Sequence, residues 1–234
     1  MTCVTLPKIF KIEGDTYVIE SYGILEPIMM QEKPTAGIIL AAGAATRFGR
    51  PKQLLRIKDK YLIEWVVDAA LNSRLSRIVL VLGYAHQKIL QALAEKPQHS
   101  KLHIEINPHY KKGQSHSLRI GLSTLKNDFP AVIFLLGDQP MLNSATINTL
   151  LEKFWSAEKD ICVPTYRGQR KNPAIFSRRF YGHLMDLKGD TGARQLIDDN
   201  PDQVLTIEID DPLCFLDIDT QQDFENLKNQ MDSF

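Results

Sequence analysis

Cysteine, net charge and long apolar runs are all scarce in this chain, and each scarcity narrows what it can be. Its 234 residues hold three cysteines, Cys3, Cys162 and Cys214, an odd number with no metal-ligand spacing. That points away from a disulfide framework and toward a reduced, cytoplasmic protein. Lysine plus arginine (28) equals aspartate plus glutamate (28), so the formal net charge is zero. Such a balance argues against a general binder of nucleic acid or anionic membrane. No stretch approaches the ~20 apolar residues of a membrane span. Near the N-terminus the apolar segments are broken by Lys8, Lys11, Glu13 and Asp15, which does not fit a signal peptide. Two phosphate fingerprints are missing as well. The pattern G-x-G-x-x-G fails because Ala45 stands where its second glycine belongs, which removes the main signal of an NAD-dependent oxidoreductase. The pattern G-x-x-x-x-G-K-[ST] fails because Gly49 comes one residue late and is followed by Arg50 and Pro51.

What the chain does have is a hydrophobic fraction of 44% and a charged fraction of 24%, those of a globular protein with one sizeable α/β domain. One stretch organises it: Ile38–Gln53, I-I-L-A-A-G-A-A-T-R-F-G-R-P-K-Q. Ile38, Ile39 and Leu40 read as a buried strand, which opens into a loop with glycines at 43 and 49. Arg47 and Lys52 place two cations within that loop's reach, a chemically sensible way to hold a polyphosphate.

Further strands follow at Arg77–Leu82, Leu102–Asn107, within Ala131–Gln139 up to Gly137-Asp138, and at Asp160–Pro164 and Val204–Ile209, alternating with helical patterns at Ile63–Leu71, His86–Ala94 and Ser144–Trp155. That alternation predicts an α/β fold, a three-layer, Rossmann-like and mostly parallel sheet with helices on both faces. Residues 1–35 read as an N-terminal extension forming a small β appendage, with Ile9–Ile12 and Thr16–Ile19 β-prone around a Glu13-Gly14-Asp15 turn. Residues 36–234 form the main domain.

Candidate chemistry gathers at strand ends. Ala131–Gln139 reads A-V-I-F-L-L-G-D-Q, placing Asp138 where open α/β sheets bind ligands. Mg²⁺ takes oxygen ligands and keeps several waters, so one or two carboxylates suffice. Asp138 is thus a candidate ligand of Mg²⁺ bridging nucleotide phosphates. Near the C-terminus, Asp217 and Asp219 alternate with Leu216 and Ile218 and so share one face of an extended segment. Asp219, at the strand end, is the preferred second ligand and Asp217 the alternative. Thr220 and Asp223 have the spacing of a capping box. In Gly113–Leu122, Ser115 or Ser117 can cap a helix whose free amides could meet a base edge or a phosphate. Thr165–Phe176 reads as a polar, hairpin-like excursion, and the cations Arg167, Arg170, Lys171 and Arg178 there suit either an anionic substrate or a solvated face. Arg194 lies in a first helical turn, where the dipole disfavours a cation, which favours a functional role.

The segments L-A-A-G-A-A-T-R-F-G-R-P-K-Q-L-L, G-Q-S-H-S-L-R-I-G-L, G-D-Q-P, N-P-A-I-F, G-D-T-G-A-R and D-I-D-T-x-x-D occur in this order over roughly residues 36–228. Together they resemble the nucleotidyltransferases with an L-A-A-G-x-x-x-R-F-G-x-P-K signature. Within these, the chain looks like the molybdenum-cofactor cytidylyltransferases. The fold this resemblance implies is of the nucleotide-diphospho-sugar transferase type. Its implied reaction is Mg²⁺-dependent transfer of CMP from CTP to the terminal phosphate of molybdopterin, releasing pyrophosphate. By the same resemblance Arg47 and Lys52 neutralise the triphosphate, and Asp138 and Asp219 hold the metal. Leu40, Ala41, Ala42, Gly43, Gly113, Ser117, Gly137, Asn172, Asp190 and Arg194 make up the implied binding set, with backbone near Ala41–Gly43 and the Gly113–Ser117 loop reading the base and Arg194 and the 167–178 cations facing the pterin substrate. The segment usually close to G-N-P reads Lys171-Asn172-Pro173 here, a departure on the acceptor side. Three alternatives stand beside this reading. One is transfer from CTP or GTP to another phosphorylated acceptor, although guanylyl members tend to carry L-A-G-G where this chain has Leu40-Ala41-Ala42-Gly43. The second is the NAD enzyme already disfavoured. The third is a non-catalytic carrier delivering the cofactor to a client molybdoenzyme.

Overall fold

A computed structural model describes three strands near the N-terminus, then residues 33–43, 48–94, 99–125, 128–190 and 192–232. The chain divides into two compact units, Met1–Lys33 and Pro34–Phe234. In the first, β1 (Lys8–Lys11), β2 (Tyr17–Ser21) and β3 (Ile24–Ile28) form an antiparallel sheet in that order. The predicted Glu13-Gly14-Asp15 turn lies outside the described residues.

The second unit is built on β4 (Thr35–Ala41), every residue of which is buried except Leu40, which is half-buried. After it come a small hairpin, β5 (Arg56–Ile57) and β6 (Lys60–Tyr61), then α1 (Leu62–Leu71), β7 (Arg77–Leu82), α2 (His86–Leu93), β8 (Leu102–Ile106) and α3 (Gln114–Thr124). The chain continues through β9 (Ala131–Leu136), α4 (Ser144–Ser156), β10 (Ile161–Tyr166), β11 (Gln169–Arg170) and β12 (Ala174–Ser177). It ends with α5 (Tyr181–Asp186), α6 (Arg194–Asp199), β13 (Val204–Glu208) and α7 (Gln221–Asp232). Strand order in the large sheet is β11-β10-β12-β9-β4-β7-β8, with β13 pairing β10. Strands β9, β4, β7 and β8 are mutually parallel, and β12 runs antiparallel between β9 and β10. The expected α/β architecture, a mostly parallel sheet covered on both faces, is the one observed.

Strand alternation explains the two covers. On β4, β7 and β9, Ile39, Leu80 and Ile133 pack with α1, α2 and α4, whereas Ile38, Val81 and Phe134 pack with α3, α5 and α6. From this adjacent pair the chain leaves β4 toward β7 on one side and β9 toward β10 on the other, so strand order reverses between β4 and β9. This is the switch point at which open α/β sheets bind ligands, at the carboxyl end of their strands. The register aligns those ends: Leu40 lies beside Leu136, and Ala41 beside Leu82.

Two local readings change. Helix α1 starts at Leu62, one residue earlier than its pattern suggested, and buries Leu62, Ile63, Val66, Val67 and Ala70 while Trp65 and Ala69 are only partly covered. The polar excursion after Thr165 is cut short at Ala174, which enters the sheet as β12. Ala174, Ile175 and Phe176 are buried there, and an apolar triplet with sheet on both sides is better paired than exposed.

Candidate active site

Lys52 stands at the centre of the site. Pro51 leads into a short 3-10 turn, Lys52–Leu54, closed by the Leu54 and Leu55 amides donating to Pro51 O and Lys52 O at 3.1 and 3.0 Å. The Gln53 side chain, 3% exposed, turns inward and donates from Nε2 to Ala41 O at 3.3 Å, pinning the turn to the end of β4. From there Lys52 Nζ reaches Asp138 Oδ2 at 2.7 Å and Asp219 Oδ1 at 2.8 Å. Burial alone would lower the lysine pKa. The Asp138 charge and hydrogen bond, then those of Asp219, outweigh it and hold the pKa above its ordinary value.

Asp219 is brought to this point by backbone pairing and packing. Ile218 N donates to Asp138 O at 3.0 Å, and Gln139 Nε2 donates to Asp217 Oδ1 at 2.9 Å. Ile218 is fully buried in a small apolar cluster with Leu55, Ile57, Leu62, Phe224 and Leu227, which joins the β5–β6 hairpin, α1 and α7. Thr220 and Asp223 then close the capping box at the start of α7: Thr220 N donates to Asp223 Oδ2 at 2.8 Å and Asp223 N donates to Thr220 Oγ1 at 3.2 Å. Residues 216–219 form no strand, so Asp217 and Asp219 do not act as one face. Asp217 is engaged by Gln139 and Asp219 by Lys52. Burial raises the Asp217 pKa first, the Asp138 charge adds to that, and the Gln139 hydrogen bond opposes it.

These donors suit a hard divalent cation. Two carboxylates 81 residues apart in sequence converge on one ammonium, and Asp138 Oδ1 is buried with no hydrogen-bond partner, an acceptor left over by the protein itself. No group of three potential metal-ligating side chains occurs among the described residues. A Mg²⁺-like ion that retains waters needs no third.

Around this triad lie two adjoining clefts. One, about 570 Å³, is lined by Leu40–Gly43, Gly113, Ser117, Gly137, Lys52, Asp138 and Asp219. The other, about 750 Å³, is lined by Arg170, Lys171, Asn172, Arg194, Gln139 and Asp217 among others. Leu40, Leu136, Gln114 and Asp190 belong to both and form the shared wall. The structure thus gathers into these two adjoining clefts Lys52, Asp138 and Asp219 with Leu40–Gly43, Gly113, Ser117, Gly137, Asn172, Asp190 and Arg194. Arg47 lies outside the described residues.

At the shared wall the α3 reading is corrected. Gly113 is the residue before α3, and neither Ser115 nor Ser117 caps it; both are inside the helix and buried. Its first amides are already used: Gln114 N donates to Asp190 Oδ1 at 3.3 Å and Ser115 N to Gly189 O at 3.1 Å. Ser115 Oγ donates to the same carbonyl at 2.7 Å. Gly113 has φ +98°, and a Cβ there would fall 2.3 Å from Gly189 O, so only glycine permits this contact between loops. Ser117 Oγ accepts from buried Asn107 Nδ2 at 2.8 Å. Among the cations after Thr165, Arg178 lies at the opposite end of the sheet, donating to Phe129 O, because β12 runs antiparallel to β9. Arg167 sits in the tight turn before β11, with its guanidinium over the Tyr166 ring. Only Arg170 and Lys171 of those four cations reach the cleft, and Arg170 is paired with Asp198. Sequence reasoning passed over Gln53, Tyr110, Lys111, Gln114 and Gln139. Gln53 and Gln139 stand immediately after the key Lys52 and Asp138, the one signal that could have marked them.

Residues 37–204 match the MobA-like NTP transferase domain, and the chain belongs to that family. Family and fold together make it an enzyme of the nucleotidyltransferase kind. The chain is 27% identical over 200 residues to the purine catabolism protein PucB of Bacillus subtilis (strain 168), spanning 83% of this chain and 96% of that protein. It is 28% identical over 197 residues to the molybdenum cofactor cytidylyltransferase of Escherichia coli (strain K12), spanning 82% and 95%. The crystal structure of Rv0371C from Mycobacterium tuberculosis H37Rv in complex with manganese is similar with a TM-score of 0.71 at 26% identity, over 84% of this chain and 98% of that one.

Proposed function

We propose that this protein transfers CMP from CTP to the terminal phosphate of molybdopterin or its molybdenum complex, with Mg²⁺ and release of pyrophosphate. The observation that supports it best is the pair of clefts meeting beside Lys52, Asp138 and Asp219. The smaller cleft begins at the Leu40–Gly43 strand end and suits the nucleotide. The larger presents Arg170, Lys171 and Arg194 to an anionic acceptor, and its volume is that of a small-molecule site. The likeness to a molybdenum cofactor cytidylyltransferase over most of both chains, and Leu40-Ala41-Ala42-Gly43 in place of L-A-G-G, favour this donor and acceptor.

In this reading the chain acts by positioning and charge. The acceptor phosphate, already ionised near neutral pH, supplies the attacking oxygen, so no general base is needed. A bond forms from that oxygen to the α-phosphorus while the bond to the β-phosphate oxygen breaks and pyrophosphate leaves. Lys52, with Arg47, neutralises charge on the triphosphate. Asp138 and Asp219 hold the divalent cation, which supplies charge neutralisation at the α-phosphate when bound. Arg194 and Lys171 orient the acceptor, and the Gly113–Asp190 wall keeps the two substrates in register. The deciding experiment offers each α-labelled nucleoside triphosphate with molybdopterin and Mg²⁺, using the native chain and Asp138→Ala. Label should move from CTP alone and only with the native chain. Label moving from GTP instead would reassign the donor. No transfer from any nucleotide, with nucleotide binding retained, would favour another acceptor or a carrier for a molybdoenzyme.

A further inference from the structure

Lys52 occupies the place between the two carboxylates that a cation would need. Its ammonium is within 2.8 Å of both Asp138 and Asp219, and its side chain is only 13% exposed. A free dication approaching this point meets carboxylates whose charge is partly cancelled, and it meets a fixed positive charge as well. Like charges brought this close repel, and the more so where partial burial weakens screening by water. A free triphosphate fares no better. The charged side chains lining the smaller cleft are Lys52 and Lys111 against Asp138, Asp190 and Asp219, a net −1 among the described residues.

The chelate of the two avoids both penalties. Its metal can take Asp138 and Asp219, while its phosphates give the displaced ammonium a new partner. The lysine stem can make that exchange without moving the backbone, which the 3-10 turn and the Gln53–Ala41 hydrogen bond hold in place. The partnerless Asp138 Oδ1 is then the atom that gains most when the cation arrives.

We propose that Lys52 is the residue that makes this site selective for the metal–nucleotide chelate over free metal, acting as an internal cation that yields only to the pair. This rests on the reading of Asp138 and Asp219 as metal carboxylates. It makes metal and nucleotide binding mutually reinforcing, since each removes an obstacle to the other.

The experiment is a titration with Mn²⁺ followed by its electron paramagnetic resonance signal, with and without CTP and with no acceptor present. The native chain should bind Mn²⁺ at least about tenfold more tightly when CTP is present, within the usual range of such couplings. Lys52→Met should bind Mn²⁺ alone about tenfold or more tighter than the native chain, and CTP should add little. Lys52→Arg, which keeps the charge, should restore weak binding of the free ion. Lys52→Met combined with Asp138→Asn should lose the tight binding, placing it at this site. Lys52→Gln serves as a second neutral variant, and a thermal melt establishes that each protein is folded. Neutral variants that bind free Mn²⁺ no tighter than the native chain would overturn the proposal while leaving the carboxylate site standing. Absence of Mn²⁺ binding in every protein, with or without CTP, would overturn the metal reading and this proposal together.

Discussion

Gln139 donates from Nε2 to Asp217 Oδ1 at 2.9 Å, tying the end of β9 to the segment that delivers Asp219. The two aspartates on that segment are therefore not equivalent, although they are two residues apart. Asp219 meets Lys52, whereas Asp217 keeps an exposed edge and has its pKa raised by desolvation first and by the Asp138 charge second. Asp219→Asn should abolish Mn²⁺ binding in the presence of CTP and lower transfer by about 10²-fold or more, the scale of a lost transition-state charge contact. Asp217→Asn should keep Mn²⁺ binding. It should also melt at the same temperature as the native protein or higher at neutral pH. A carboxylate whose folded pKa is raised costs stability when ionised, and that cost disappears as pH falls through the raised pKa toward the ordinary value. The advantage of Asn should shrink over that same interval, as melts at a series of pH values would reveal.

Gly113→Ala should be the most damaging single methyl in the nucleotide cleft. The position has φ +98°, and the new Cβ would sit 2.3 Å from the Gly189 carbonyl. A cost of about 1–3 kcal/mol for the backbone strain alone is expected in denaturant unfolding, with the clash adding to it. Ser115→Ala, which removes one hydroxyl bond to Gly189 O, should cost about 1 kcal/mol.

The start of α7 should weaken in acid. Asp223 has its carboxyl held below the usual range by the Thr220 hydroxyl first, with the Thr220 and Asp219 amides adding to it. A depressed folded pKa contributes stability above the ordinary carboxylate pKa and loses it as pH falls through the folded value. Asp223→Ala should thus cost about 1 kcal/mol at neutral pH, the usual worth of a cap. The difference from the native chain should close at low pH in paired thermal melts.

On the acceptor side, Lys171→Ala and Arg194→Ala should raise the acceptor KM about tenfold each while nucleotide affinity stays unchanged, because both side chains line only the larger cleft. Steady-state kinetics with each substrate varied in turn would separate the two effects. Equal losses for both substrates would move these residues out of the acceptor role.

Cys162 and Cys214 should resist alkylation in the folded protein. Burial pushes the Cys162 thiol up to about 12, and burial likewise raises Cys214. Labelling at either position, read by peptide mass, should follow the rate of unfolding rather than the pH dependence of an accessible thiol.

Much of this protein could be read along the chain. Short apolar runs alternating with amphipathic helices determined a mostly parallel sheet covered on both faces, because strand and helix periods are local properties of a sequence. The Leu40–Lys52 and Gly137–Asp138 stretches marked the strand ends that line the smaller cleft for the same reason, since each joins an apolar strand to charged side chains within a few residues. Thr220 and Asp223 announced the α7 cap by spacing alone. The insertion of β12 between β9 and β10 was not legible, because pairing partners far apart in sequence are chosen by the whole sheet.

The chemistry of the site was settled by distance between remote residues. Nothing in the sequence put Lys52 on both Asp138 and Asp219, or separated Asp217 from Asp219 by giving one to Gln139. Both outcomes depend on Ile218 hydrogen-bonding to Asp138 and packing into the cluster beneath the β5–β6 hairpin. The sequence determined which charged groups this protein owns and which strand ends display them. Which charges touch depends on the folded chain, because an ion pair forms where packing brings its members together, not where the chain spaces them.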